Sequence, residues 1–386
     1  MIDWGGIIIA GMHKILAHQL YNNYGGILQA FALQNAVTEQ GYRAVNIDYL
    51  PKYLISSVNI PGKRMKLKLW KNFLNRYLGR TSGDIAPFVE QHLFLLFKRM
   101  FMRTFKLDAN RSQLNTPDKT DSFIVGSDQV WRGLYARGIE SLPFFFLSFA
   151  TQEQRKRSFA YAASFGTDEW EGTPEETAEC ARLIKDFKAV SVREHSGIRI
   201  CREVFGVEAV QMPDPTLLLE PEDYSRIIHR WWTRRLPQPC MAVYLLDETD
   251  EKKHLTKVLA EQTGFYPQQL TAHPDAPRAM DRIPLSIPQW LRCIRDAECV
   301  LTDSFHGCVF SIIFNKPFVC LGNESRGSAR FDSLLGTFGL QNRLLIAPTA
   351  EQVTECMNTP INWEKVNTIR SSEKQRALQF LKENVA

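Results

Sequence analysis

Long apolar runs and a strong charge of one sign are both missing from this sequence of 386 residues. No stretch approaches the roughly 20 apolar residues that span a bilayer, so no transmembrane helix is predicted. The 47 basic and 42 acidic residues leave a net charge of +5. That charge suits an anionic substrate but does not require nucleic acid. No basic region precedes the apolar residues near the start, so we expect a cytoplasmic protein, with residues 1–11 unassigned.

Cysteine pairs and the common phosphate-binding and metal-binding motifs are missing as well. The eight cysteines include no C-x-x-C pair and lie mostly in apolar runs, which indicates buried free thiols in a reducing compartment. The sequence contains no G-x-G-x-x-G, G-x-x-x-x-G-K-[ST], H-E-x-x-H or G-x-S-x-G motif. It therefore predicts neither a disulfide framework nor a metal site, and it does not support the usual nucleotide cradles.

Short apolar runs alternate with amphipathic stretches over most of the chain, which is typical of parallel sheets covered by helices. A rigid Pro-Asp-Pro break at 213–215 separates two such runs. We therefore expect an α/β protein of two Rossmann-like domains, 1–212 and 213–386, which face a central cleft. In such sheets ligands bind beyond the carboxyl ends of the strands. A long helix over 363–384 is expected to pack back across the first domain.

One segment interrupts this alternation. Residues 62–106 are predicted to form a helical insertion in the first domain, and 63–80 mix Lys and Arg with Leu, Trp, Phe and Tyr. Such a basic amphipathic helix can lie on an anionic membrane surface. Alternatively, its apolar face belongs to the core and its charges are solvated. The sequence leaves open a peripheral contact of 63–80 with the inner face of the membrane.

Two polar stretches follow predicted strands of the first domain. In 21–29 two adjacent glycines begin a helix, whose free N–H groups can meet an anion. In 125–131 polar residues follow a strand end, with an indole that can stack on a sugar. A structural turn would explain the first stretch, and a capped loop with a packed indole the second. The residues that we expect in the cleft are Asn23, Tyr24, Gly25, Gly26, Ser127, Asp128, Gln129 and Trp131.

Two further candidates are an arginine and a histidine at strand ends. Arg193 opens a predicted helix and is placed to bind a carboxylate or phosphate with two hydrogen bonds, although a structural pair with Glu194 would explain it equally. His306 falls in the first turn of a helix, where Asp303 or Ser304 can act as the cap. The helix N-terminus disfavours imidazolium, so this ring can exchange protons near neutral pH. A lone histidine is more often structural, but the strand-end position favours a site.

Arg326 and Arg330 lie in a loop rich in Gly and Ser that precedes a helix. Two arginines in this position can form an anion clamp. The alternative is that their charges are solvated loop charges.

Taken together, these stretches resemble the polysaccharide pyruvyltransferase family. The segments that carry the resemblance, in the family's order, are 23–30, 123–131, 161–166, 191–194, 214–218 and 302–307. The resemblance implies a GT-B-like fold, with the site in the cleft between two Rossmann domains. It also implies transfer of pyruvate from phosphoenolpyruvate to two hydroxyls of a sugar, forming a ketal, as in the synthesis of a bacterial exopolysaccharide or capsule. No cofactor or metal is implied.

Residue by residue, the resemblance makes His306 the catalytic histidine and Arg193 a donor-binding arginine, with Arg326 a looser match to a basic residue. Many members carry Arg two positions before that histidine, where this sequence has Ser304. The donor charge must then be balanced elsewhere, by Arg326 or Arg330. Asp303 is expected to orient the histidine.

Two other functions remain open. The same fold serves glycosyltransferases that use a nucleotide sugar, and a chain that has lost the chemistry would be a glycan-binding protein. The sequence also leaves open whether the saccharide acceptor is lipid-linked.

Overall fold

The computed structural model describes residues 12–18, 20–21, 23–49, 86–106, 122–272, 282–322 and 329–386. Two parallel β-sheets, one in each half of the chain, form its framework. The fold class predicted from the alternation of strands and helices is confirmed: the protein consists of two Rossmann-like α/β domains that face each other.

The first domain is built on a sheet of seven strands in the order β3-β2-β1-β4-β5-β6-β7, with every pairing parallel. Its elements are β1 (Met12–Leu16), α1 (Tyr24–Glu39), β2 (Arg43–Asp48), α2 (Ala86–Phe101), β3 (Thr104–Lys106), β4 (Ser122–Val125), α3 (Gly133–Ile139), α4 (Gln152–Arg155), β5 (Phe159–Ala163), α5 (Pro174–Ile184), β6 (Ala189–Val192), α6 (His195–Ile200) and β7 (Val210–Gln211). The strand order reverses at β1 and β4, which lie side by side. The carboxyl ends of these two strands therefore border the crevice where such sheets bind ligands.

The second domain is built on a sheet of five strands in the order β12-β11-β10-β8-β9, again with every pairing parallel. Its elements are α7 (Pro221–His229), β8 (Cys240–Tyr244), α8 (Asp250–Thr263), β9 (Tyr266–Gln269), α9 (Ile287–Asp296), β10 (Cys299–Thr302), α10 (Phe305–Ile313), β11 (Phe318–Leu321), α11 (Ala329–Phe338), β12 (Leu344–Leu345), α12 (Ala350–Asn358) and α13 (Trp363–Val385). The central strands β8, β10 and β11 are buried along their whole length, as expected for a parallel sheet with helices on both faces.

Apolar side chains from both domains form one continuous core. Tyr24 of α1 stacks on Trp290 of α9, with ring centroids 5.5 Å apart and planes inclined by 6°. The Tyr24 hydroxyl donates a hydrogen bond to the carbonyl of Leu285 at 2.7 Å. Because this contact crosses the domain boundary, the N-terminus of α1 is fixed against the second domain.

Helix α13 leaves the second domain and packs on the first, as the sequence predicts. Phe380 and Leu381 are buried against β5, where Phe380 lies 6.1 Å from the ring of Phe159. Near its N-terminal half, Arg370 and Lys374 both pair with Glu220, which precedes α7. The helix thus connects the two halves of the molecule.

Of the segment expected to be an insertion, 62–106, the structure describes residues 86–106. Residues 86–106 form α2 and β3, and β3 pairs with β2 at the edge of the first sheet. They are part of the domain, because the apolar face of α2 supplies Phe94 and Phe97 to the shared core. The basic stretch 63–80 and the first residues, 1–11, lie outside the described residues. None of the described helices combines the length and the apolar character needed to cross a membrane.

Candidate active site

The imidazole of His306 lies between the two domains. His306 is in the first turn of α10, which follows β10, and its ring rests on the first turn of α1 at Gly25. A β-carbon placed on Gly25 would come within 1.9 Å of Nδ1 of His306. Only glycine therefore leaves room for the ring in this position, which explains the first of the paired glycines in the sequence.

Two side chains contact Nε2 of this imidazole. The amide nitrogen of Gln29 forms a short hydrogen bond with it, and Oδ2 of Asp214 lies 3.6 Å away, within ion-pair distance when the ring is protonated. The amide oxygen of Gln29 has no other partner among the described residues. Since an amide can rotate to present either atom, Gln29 can donate to the neutral ring or accept from the charged ring.

Asp214 holds the centre of a buried polar cluster. It lies in the Pro-Asp-Pro turn after β7, where Oδ1 accepts hydrogen bonds from the backbone and the hydroxyl of Thr216. Its other oxygen, Oδ2, accepts a hydrogen bond from Arg193 at 3.1 Å. Burial alone would raise the pKa of this carboxyl, but His306, Arg193 and Thr216 outweigh burial and hold the pKa at about 2. Asp214 is therefore ionised at neutral pH.

Arg193 follows β6 and is only 3% exposed. Its remaining neighbours are more distant: Asp128 lies 3.9 Å from Nη2 and Glu194 lies 3.9 Å from Nε. Neither Nε nor Nη2 has a hydrogen-bond partner among the described residues. Asp214 therefore fixes Nη1, whereas the Nε and Nη2 edge makes no hydrogen bond and has Asp128 and Glu194 as its ion-pair neighbours.

A second guanidinium lies beside the first. Arg193 sits 4.4 Å above the ring of Phe305, and Arg330 of α11 lies 5.9 Å from the same ring. Burial and the neighbouring charge of Arg193 lower the pKa of Arg330 to about 10. Two adjacent cations that share one aromatic ring favour binding of an anion, which relieves their mutual repulsion.

The charges of the cluster are mixed rather than uniformly positive. Three carboxylates, on Asp128, Asp214 and Glu194, accompany the two arginines. The arginines expected to bind the donor therefore do not form a purely cationic pocket, because carboxylates lie within 3.9 Å of both edges of Arg193. An anion at Nε and Nη2 of Arg193 would compete with Asp128 and Glu194.

Asp128 joins this cluster to the start of α1. It follows β4 in the left-handed backbone region, with φ +63°, and its carboxylate accepts a hydrogen bond from Asn23 at 3.2 Å. Asn23 in turn caps α1 by accepting from the N–H of Gly26 at 2.9 Å. Burial would raise the pKa of Asp128, but the charges of His18, Arg193, His306 and Arg330 together lower it.

Several residues expected in the cleft prove to be structural. Trp131 is 1% exposed, stacks on Phe146 and donates its indole N–H to the carbonyl of Phe145, so it has no face left for a sugar. Tyr24 is buried in the core between the domains, as described above. Both aromatic rings were expected at the site because they follow strand ends, but apolar partners on neighbouring elements bury them.

Three polar candidates also have structural partners. Ser127 donates to the carbonyl of Ala162, and Gln129 accepts from Arg132. Asp303, expected to orient the histidine, instead accepts from the backbone N–H groups of Leu246 and Asp247 and pairs with Lys252 at 2.6 Å. The carboxylate beside the imidazole is that of Asp214.

Ser304 is the N-cap residue of α10, and its hydroxyl makes no capping hydrogen bond. The backbone N–H of Ser304 donates to the hydroxyl of Thr302. Arg326 lies outside the described residues, and Arg330 lies near this turn, 5.9 Å from the ring of Phe305.

Gln29 and Asp214 escaped the sequence analysis as site residues. A signal for Gln29 was present, because residues four apart share a helix face and Gln29 lies one turn after Gly25. For Asp214 the signal is its position at a rigid turn between the two domains, within a segment that carries the family resemblance but to which no role at the site is assigned.

Comparison with known proteins agrees with this arrangement. The model of the polysaccharide pyruvyl transferase family matches residues 23–325, which is most of the chain. Of the residues named above, His18 lies before this range, and Arg326 and Arg330 lie after it. The chain belongs to the polysaccharide pyruvyl transferase family. A search of curated protein sequences found no significant match.

Solved structures with a similar outline include several enzymes of sugar metabolism. The UDP-N-acetylglucosamine 2-epimerase from Rickettsia bellii shares 11% identity at a TM-score of 0.44, covering 96% of each chain. MurG from Acinetobacter baumannii shares 10% identity at a TM-score of 0.40, covering 97% of this chain and 99% of that one. A UDP-glucosyltransferase from Polygonum tinctorium shares 10% identity at a TM-score of 0.41, with 98% and 99% covered. The family match, and not these likenesses, assigns the chain.

In this pyruvyl transferase family member the two domains contribute different parts of one site. The second domain supplies the imidazole of His306 and Arg330. The first supplies Gln29, Arg193 and Gly25, against which the imidazole packs. Asp214, at the junction, contacts both the imidazole and Arg193. The cluster thus places an imidazole and two guanidiniums around shared carboxylates.

Proposed function

We propose that this protein transfers pyruvate from phosphoenolpyruvate to two hydroxyls of a saccharide and forms a cyclic ketal. The observation that supports the proposal is that His306 and Arg193 both lie against Oδ2 of Asp214, at 3.6 Å and 3.1 Å. An imidazole and a guanidinium suit a small substrate that carries both a protonatable carbon and acidic groups.

The donor would bind through its carboxylate and phosphate. The Nε and Nη2 edge of Arg193 and the guanidinium of Arg330 are the cations available for these groups within the described residues. Phe305 lies under both guanidiniums and keeps water from that face, which strengthens their attraction for an anion. In this proposal Arg330 provides the charge that an arginine at position 304 provides in many relatives.

His306 would donate a proton to the methylene carbon of the donor. Positive charge then develops at C2, and one sugar hydroxyl attacks this carbon. Phosphate leaves, and the second hydroxyl attacks C2 to close the ring. Gln29 can stay hydrogen-bonded to the ring before and after the proton leaves, because its amide can present either atom.

The decisive experiment measures phosphate release from phosphoenolpyruvate in the presence of free and lipid-linked saccharides, together with the mass of the saccharide product. We expect phosphate release that depends on the saccharide, and a mass gain equal to pyruvate minus water. A parallel panel of nucleotide sugars tests the glycosyltransferase alternative, since a mass gain of one sugar would replace this proposal. Binding of saccharide with no turnover of any donor would identify a glycan-binding protein.

The His306→Ala variant tests the role of the imidazole. An acid–base group contributes about 10² to 10⁴ in rate, so turnover should fall by about that factor while the protein stays folded. His254→Ala is the matched control, because His254 is exposed on α8, outside the site. Full turnover by His306→Ala would remove the imidazole from the mechanism.

A further inference from the structure

His18 is a buried histidine to which the proposed mechanism gives no task. It follows β1 by two residues and is 8% exposed, and neither ring nitrogen has a hydrogen bond of good geometry with the described residues, although the backbone of Gln129 lies near enough to affect its pKa. Leaving a buried polar group without a partner destabilises a folded protein. Such an orphaned group calls for an explanation, and a ligand that supplies the missing hydrogen bond is one.

The position of His18 supports that explanation. It follows β1, and Asp128 follows β4, so the two residues border the crevice where the strand order of the first sheet reverses. The groups that face the ring are the carboxylate of Asp128, the backbone of Gln129, the guanidinium of Arg193 and two aromatic rings. His18 therefore borders the same charged cluster as His306 but belongs to the other domain.

His18 is neutral at physiological pH. Burial, assisted by the charge of Arg193, lowers the pKa of His18, and the opposing effects of Asp128 and the backbone of Gln129 do not offset this. A neutral imidazole beside a carboxylate can accept a proton. This is the protonation state opposite to the one that a proton donor needs.

An exposed aromatic ring lies next to His18. Tyr135 of α3 is 39% exposed, and its ring centroid is 6.5 Å from that of His18. The guanidinium of Arg132 lies 4.7 Å over the same ring, and its Nε has no hydrogen-bond partner among the described residues. An aromatic ring offers an apolar surface to the C–H face of a sugar, and the guanidinium offers donors to its hydroxyls. The stacking role expected for Trp131 can thus be taken by Tyr135.

We propose that His18, Arg132 and Tyr135 form the subsite for the saccharide acceptor, and that His18 takes the proton from the first attacking hydroxyl. This assignment rests on the function proposed above. The protons balance between two imidazoles. His306 gives a proton to the donor methylene and recovers one from the second hydroxyl. His18 accepts a proton from the first hydroxyl and passes it to the departing phosphate. The first O–C2 bond forms as the C2=C3 π bond breaks and its electrons bind the proton at the methylene carbon, and the second O–C2 bond forms as the C2–O bond to phosphate breaks.

The test compares His18→Gln, Tyr135→Ala and Tyr135→Phe with the wild-type protein. For His18→Gln we expect kcat to fall by about 10² to 10⁴ and the acidic limb of the pH–rate profile to disappear, while calorimetry shows unchanged binding of phosphoenolpyruvate. Tyr135→Ala should raise KM for the saccharide by about tenfold with little change in KM for the donor, and Tyr135→Phe should recover most of that loss. His254→Gln, exposed on α8, controls for loss of a histidine.

The outcomes separate this assignment from the proposed function. If the wild type makes the ketal and His18→Gln keeps its turnover and pH profile, the subsite is wrong and the function stands. If His18→Gln loses affinity for phosphoenolpyruvate, His18 belongs to the donor side and the assignment is overturned. If the wild type makes no ketal from any saccharide, the function fails and the subsite fails with it. Should His18→Gln not fold, the saccharide KM of Tyr135→Ala decides alone: an unchanged value overturns the subsite.

Discussion

The imidazole of His306 touches the backbone of Gly25 with no side chain between them. This contact requires that residue 25 have no β-carbon, since even a methyl group would lie 1.9 Å from Nδ1. Packing at this position therefore constrains the imidazole directly. A change of one methyl group on the first domain should displace the proposed catalytic group, which belongs to the second.

The substitution Gly25→Ala tests this constraint. Alanine favours a helix over glycine by about 1 kcal/mol, so any loss of stability should be small, whereas displacement of the ring should lower kcat by tenfold or more. Gly336→Ala is the matched control: Gly336 lies on α11, and among the described residues the nearest atom to an added β-carbon is 3.9 Å away. Melting curves and turnover of both variants provide the measurement. Normal turnover by Gly25→Ala would show that the ring position is not needed.

At the scale of elements, helix α13 is the part of the second half that stabilises the first. Its last two turns bury Phe380 and Leu381 on β5, and the carbonyl of Val385 lies 3.1 Å from Nε2 of His13 on β1. Lys188 donates to the carbonyls of Asn384 and Ala386, which ties down the end of the helix. The end of α13 thus supports the seven-stranded sheet of the first domain, where Arg193 follows β6.

The substitution Leu381→Ala measures this contribution. Removing a buried leucine side chain costs about 2–5 kcal/mol, so the free energy of unfolding should fall by that amount. Lys382→Ala, one residue later and exposed, should change it by less than about 0.5 kcal/mol. Urea denaturation of the two variants makes the comparison. Equal stabilities would show that α13 is not anchored on β5.

The strands and helices can be predicted from the sequence, because the spacing of apolar residues that distinguishes them is a local property of the chain. The pattern correctly places Arg193 and His306 at strand ends. It does not tell which side chains at a strand end point into the crevice, since Trp131 and Tyr24 are drawn into the core by partners far away in sequence. The pairing of Asp303 with Lys252 is equally non-local, because it joins α8 to the end of β10.

At the scale of the whole molecule, buried ionisable groups make stability depend on pH. Burial lowers the pKa of His13 and His18 below the ordinary value of 6.5, so the unfolded chain binds protons more readily there. Stability from these groups is complete above about pH 6.5 and is lost as the pH falls below it. The pKa of Asp214, lowered to about 2 from 3.8, adds a contribution on the order of 2 kcal/mol that is lost between those two values.

The His13→Gln variant isolates one of these groups. Glu39 and Glu90 act in the opposite sense, since burial raises the pKa of each, so the wild-type curve alone is not decisive. We expect the free energy of unfolding to fall less between about pH 7.5 and about pH 5.5 in His13→Gln than in the wild type. Urea denaturation at several pH values tests this, with His254→Gln as the exposed control. Identical pH dependence in His13→Gln and the wild type would contradict the assignment.

The packing of His306 on Gly25 makes the site sensitive to relative motion of the two domains. Gly25 and Gln29 move with the first domain, whereas the imidazole moves with the second, and Tyr24 stacked on Trp290 joins the two bodies one residue away. A rotation that parted the domains would separate the amide from the ring before it exposed much apolar surface. The hydrogen bond between Gln29 and His306 therefore depends closely on the relative position of the two domains. We expect a mutation in the shared core that shifts one domain by about an ångström to show its effect first as lost turnover.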